Sequence, residues 1–98
     1  DPEGAAVHIR KALKPDGKWM IVEPAAGDSL AENINPIGRI YYSASSMICV
    51  PTSLAQEKGL ALGAQAGPLR LTEVIRAGGF SRVEQIARTP LNMVLEAT

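Results

Sequence analysis

A helix, a tight turn and an apolar strand stand end to end in residues 1–24, and they limit what the rest of the chain can build. Asp1 is a favoured N-cap type, Pro2 suits the first helical position, and Glu3 complements the positive end of the helix dipole. Ala5, Ile9, Ala12 and Leu13 follow at i, i+4, i+7 and i+8, a spacing that predicts one apolar helical face. Arg10, Lys11 and Lys14 crowd the C-terminal end, where cations are favoured. Pro15 cannot continue the helix, and Pro15-Asp16-Gly17 supplies a turn. Trp19-Met20-Ile21-Val22 is then apolar without alternation. That pattern predicts a strand covered on both faces, as in a parallel sheet with helices above and below.

The 98 residues suit a single domain, 1–98, with 46% apolar and 20% charged residues. A chain of this size buries roughly 65% of its unfolded surface, enough for a modest core. Formal net charge is zero and the basic residues are scattered, so the concentrated basic surface that nucleic-acid binding needs is missing. No stretch approaches the roughly 20 apolar residues of a membrane-spanning helix. The acidic, helix-patterned start does not read as a signal peptide. One cysteine, Cys49, excludes an internal disulfide and fits a reducing compartment, the cytoplasm. One histidine, His8, offers no metal-ligand cluster and is expected to face solvent.

Past the strand, Ser29 and Glu32 have capping-box spacing and predict a short helix. Asn35-Pro36 reads as cap and first position of a longer one, with Ile37, Ile40, Tyr41, Ala44 and Ile48 as its stripe. Pro51 is expected to end it, and Ser53 with Gln56 to open another turn of helix. Residues 59–67 are rich in glycine and alanine and carry no clear period. Gly67-Pro68 starts a last helix with Leu71, Val74, Ile75 and Gly78 on one side, and Gly78-Gly79 forms its C-terminal cap, closed by Phe80. Two short strands follow, 82–88 and 91–97, around Thr89-Pro90. In the second, Leu91, Met93, Leu95 and Ala97 alternate with more polar positions.

Leu13-Lys14-Pro15-Asp16-Gly17 before the first strand, Ala77-Gly78-Gly79-Phe80 before the second, and the closing hairpin resemble the C-terminal half of class I S-adenosylmethionine-dependent methyltransferases. Trp19–Pro24, Ser53–Glu57 and Gly59–Gly67 are similar to segments of bacterial members that carry a winged-helix-like N-terminal domain. The resemblance implies an α/β fold, part of a Rossmann-like sheet. Residues 18–23, 82–88 and 91–97 would be its strands five, six and seven, the last antiparallel between the other two. Residues 25–66 would be a helical insertion over the acceptor site. It further implies methyl transfer to a small-molecule acceptor. The glycine-rich turn that holds S-adenosylmethionine has no counterpart in these residues, so the chain alone is expected to be inactive and to bind no cofactor.

Glu23 is the foremost polar candidate for catalysis and acceptor binding, because open α/β sheets place ligands beyond the carboxyl ends of their strands. There it would orient an acceptor hydroxyl or take its proton; the plainer account is a strand-end carboxylate capping nearby amides. Tyr41 lies on the apolar stripe, whereas Tyr42 points roughly 100° away and either faces an acceptor pocket or solvent. Met47 and Cys49 suit packing or an apolar pocket wall. Asn33, Asn35 and Gln65 suit either substrate contact or local capping, and the four-residue spacing of Gly59, Gly63 and Gly67 fits close packing better than a cofactor turn. Arg70, Glu73 and Arg76 form a solvated helix face.

Two further functions compete. One is a non-catalytic module that self-associates as a homodimer, through an exposed edge of the first strand or through the apolar insertion helices. The other is a binding protein for a small apolar ligand using residues 23–50.

Overall fold

A computed structural model describes all residues, Asp1–Thr98. Helix α1 spans Pro2–Ala12, and strand β1 spans Trp19–Pro24. A 3-10 turn (Ala31–Asn33) leads to helix α2 (Pro36–Ala44), which runs through a π-helical turn (Ser45–Cys49) into α3 (Val50–Leu54). Helix α4 (Pro68–Ala77) and strands β2 (Val83–Arg88) and β3 (Asn92–Ala97) complete an α/β fold with a three-stranded antiparallel sheet. Its order is β1-β3-β2. β3 is antiparallel to both neighbours, with Ile21 opposite Leu95 on one side and Gln85 opposite Leu95 on the other. β1 and β2 therefore run the same way without touching.

The alternation of β3 explains its central place. Met93, Leu95 and Ala97 are 0%, 1% and 0% exposed, while Asn92, Val94 and Glu96 on the opposite face are half-buried. Ile21 of β1 joins the same core, with Trp19 and Val83 packed against it. Helices α1 and α4 supply Ala6, Leu71 and Ile75 to that core. Both helices thus cover one face of the sheet, in two layers. The expected cover on both faces of β1 does not occur within this chain: Met20 and Val22 are 67% and 56% exposed. The non-alternating run does mark apolar residues on both faces. The outer face lacks cover because α1 is held beside α4 rather than across the sheet.

That pairing has a visible cause. A Cβ at Gly78 would collide with the Cβ of Ala6 and lie 2.9 Å from its carbonyl carbon and 3.0 Å from Val7 N. Only glycine permits the end of α4 to approach the backbone of α1 this closely. The inward face of α1 is consequently Ala6, Ile9 and Leu13, whereas Ala5 and Ala12, expected inside, are exposed. Asp1 caps α1 as expected, accepting from Gly4 N at 2.9 Å. Gly79, at φ +97°, turns the chain out of α4 in the left-handed region. Phe80 then folds under, buried, with its ring 5.4 Å from that of Trp19 and the Arg10 guanidinium 5.8 Å from its centroid.

Pro51 does not end the insertion helix. The π turn widens the backbone so that Val50 N–H donates to Ser45 O, and Pro51 enters α3 in its first turn, where a missing N–H costs least. Ser53 and Gln56 do not open a new helix either; α3 stops at Leu54 and Gln56 N–H bonds Ser53 O at 3.1 Å. The stripe on α2 is not a core stripe: Ile40 and Ile48 are exposed, and Gly38 and Ser45 are the buried positions.

Candidate functional site

The chain leaving β1 is fastened at several points. Ala25 N–H continues the pairing to Leu91 O at 2.9 Å, and Ala26 is buried. Gly27 is held by the side chain of Asn33, whose Oδ1 accepts from Gly27 N at 2.7 Å and whose Nδ2 donates to Gly27 O at 3.2 Å. Asn33 is itself buried, so this clasp satisfies the amide on both sides. Ser29 and Glu32 form the expected reciprocal box: Glu32 N donates to Ser29 Oγ at 3.3 Å, and Ser29 N to Glu32 Oε2 at 3.1 Å. Asn35 caps α2, accepting from Gly38 N at 2.8 Å.

Asp28 has a role that local spacing does not reveal. Its Oδ1 accepts from Leu69 N at 2.7 Å, in the first turn of α4. The N-cap position of α4 is Gly67, which has no side chain, so a residue distant in sequence caps the helix. Gln65 braces the same loop by donating to Ala25 O at 3.2 Å, while its Oε1 is buried without a partner.

Beyond this clasp the segment from Leu30 to Tyr42 lines an open hollow of about 540 Å³. Leu30, Ile34 and Pro36 give it apolar walls, and Asn33, Arg39 and Tyr42 give it polar ones. Arg39 and Tyr42 share a face of α2 at i, i+3. The Tyr42 hydroxyl accepts from Asn33 Nδ2 at 3.4 Å, which fastens the ring to the clasp. Tyr42 therefore stands on the wall of this hollow, whereas Tyr41 reaches across to donate to Leu91 O at 2.8 Å.

Glu23 and Met47 line no part of this hollow. Met47 is 79% exposed on the π turn. Glu23 is half-buried at the end of β1, and its carboxylate makes no hydrogen bond or ion pair within the chain. It caps no amide. Burial alone holds its carboxyl above the ordinary carboxylate range. A carboxylate with a raised pKa is a stronger proton acceptor once ionised.

The three spaced glycines are accounted for by packing. A Cβ at Gly59 would strike Ser53 O, one at Gly67 would strike Gly27 O and Asp28, and one at Gly63 would lie 2.8 Å from Ser45 Oγ. Ser45 and Ser53 also bind this segment, accepting from Ala64 N at 2.6 Å and Ala61 N at 3.0 Å. Gly59 and Gly63 let the segment lie against α3 and the π turn, and Gly67 lets it meet the loop at Gly27 and Asp28. His8 is exposed and Cys49 is half-buried. No three His, Cys, Asp or Glu side chains gather as metal ligands would, and no helix is long and apolar enough to cross a membrane.

Comparison with protein-family models and with curated proteins finds no match to this chain.

Proposed function

We infer that residues 1–98 are the C-terminal part of a class I methyltransferase domain whose complete form moves a methyl group from S-adenosylmethionine to a small-molecule acceptor. One observation carries this reading: β3, last in sequence, lies between β1 and β2 and antiparallel to both, with a helical insertion between β1 and α4. In the proposed assignment these are strands five, seven and six of a Rossmann-like sheet. Upstream strands would pair with the open edge of β1, and helices on the outer face would cover Met20 and Val22.

Within that reading the chain's own residues position and polarise the acceptor. Direct displacement at a sulfonium methyl needs alignment of nucleophile, methyl and sulfur more than covalent help from the protein. The insertion of residues 25–66 would cover the acceptor, and Glu23 would take or orient its proton at the strand end, outside the 30–42 hollow. Residues 1–98 supply no turn that fits the cofactor, so its binding is assigned to upstream strands.

A titration with S-adenosylmethionine tests this. The product of the whole reading frame should bind it, and residues 1–98 alone should not. Micromolar binding by residues 1–98 alone, or a full reading frame without upstream α/β strands, overturns the proposal.

The open edge of β1 favours one second reading, a module that pairs with another copy of itself. Light scattering separates the two: a dimer of residues 1–98 that persists in the full-length product supports the module, because upstream strands would otherwise occupy that edge.

A further inference from the structure

We propose that the hollow between Leu30 and Tyr42 is a binding site for a small, mostly apolar carboxylic acid, with Arg39 as its charge partner and the Tyr42 hydroxyl as a second donor. The inference does not rest on methyl transfer, because the site is built by residues 30–42 alone and needs no cofactor. Its volume, about 540 Å³, falls within the roughly 300–1,000 Å³ of small-molecule pockets. Leu30, Ile34 and Pro36 supply apolar surface of the kind such pockets use.

The polar groups left over decide the ligand's chemistry. Asn33 is consumed by Gly27 and Tyr42. Asn35 is consumed by Gly38 N and Glu32 O. The nearby carboxylate of Glu32 accepts from Asp28 N at 2.6 Å and from Ser29 N. Arg39 is the one charged side chain on the wall and is uncommitted, and the Tyr42 hydroxyl keeps a donor. The Arg39 guanidinium makes no ion pair and no hydrogen bond, although four other ion pairs form across the chain. The Tyr42 hydroxyl accepts from Asn33, which leaves its own hydrogen free.

A wall whose one charged group is an unpaired planar cation selects an anion. A single guanidinium matches one carboxylate bidentately; a phosphate dianion would keep half its charge unmatched. Apolar walls on the other side favour an aromatic or short aliphatic body. The carboxylate is thereby assigned to Arg39, and the body to Leu30 and Ile34.

The probe pair is trans-cinnamate and trans-cinnamamide, alike in shape and different in charge. Both are titrated into residues 1–98 and followed by amide chemical shifts. Cinnamate should bind saturably with shifts concentrated in residues 30–42, and cinnamamide about tenfold more weakly or worse. Arg39→Gln should weaken cinnamate by a similar factor and leave cinnamamide unchanged, and Tyr42→Phe should weaken cinnamate by less. Arg39 is exposed, so the variant keeps its fold, and an unchanged spectrum outside the site checks this. Equal affinity for acid and amide, an Arg39→Gln variant that binds cinnamate as well as the parent, or no saturable binding at millimolar probe overturns the inference. A failure here, beside S-adenosylmethionine binding by the full reading frame, removes this site and leaves the methyltransferase reading standing.

Discussion

Leu95→Ala, read beside Val94→Ala, measures how one-sided this sheet is. The two residues are neighbours on the central strand and face opposite ways. Leu95 is 1% exposed and packs with Ile21, Leu71 and Met93 in the core, so its truncation leaves a cavity as well as losing transfer free energy. Such truncations cost about 2–5 kcal/mol. Stability of about 0.05–0.15 kcal/mol per residue gives a domain of this size roughly 5–15 kcal/mol. At the middle of both ranges Leu95→Ala therefore removes about a third of it, and it lowers Tm by about 10 °C or more. Val94 sits half-buried between Val22 and Ala87 on the outer face, where Val22 is 56% exposed. Removing its two methyl groups costs about 1 kcal/mol. Urea unfolding of the two variants should show a much larger fall in midpoint for Leu95→Ala, at unchanged slope. Equal losses would mean that the outer face is covered as tightly as the inner one, and the two-layer account would be wrong.

Two other outcomes follow from the loop after β1. Burial raises the pKa of Glu23, so the folded state holds its proton more tightly than the unfolded state, and stability falls as pH rises from the ordinary glutamate value of 4.5 through the raised value. Glu23→Gln should abolish that decline and be the more stable protein at neutral pH; Tm curves of the two proteins that stay parallel across the window would contradict it. Asp28→Ala removes the remote cap of α4 and should cost about 1 kcal/mol, with faster hydrogen exchange at Leu69 and its helical neighbours; unchanged exchange there would show that the bond to Leu69 contributes nothing.

Local chemistry made most elements legible. The caps at Asp1, Asn35 and Gly79, the Ser29–Glu32 box and the alternation of Met93, Leu95 and Ala97 all act within a few residues, and each occurs in the structure. What sequence spacing misplaced depends on contacts between distant residues. Periodicity could not choose Ala6 over Ala5 for the buried face of α1, because the choice is made by the missing side chain of Gly78. Pro51 reads as a stop until a π turn absorbs it, and the exposed outer face of β1 reflects where α1 and α4 settle rather than the strand's own residues.

The candidate site was legible in part. Tyr42 is on the wall of the hollow, and Asn33 forms the clasp beneath it. Arg39 was missed, although its i, i+3 spacing to Tyr42 from an Asn-Pro cap was there to read. Glu23, at the end of β1, and Met47, on the π turn, line no part of the hollow.

The methyltransferase assignment depends on β3 separating β1 from β2. Interstrand nuclear Overhauser contacts test this most directly. Contacts from Leu95 to both Ile21 and Gln85, with none between the backbones of β1 and β2, are the predicted result. Direct contacts between Trp19–Pro24 and Val83–Arg88 would contradict it and would remove the methyltransferase assignment with it.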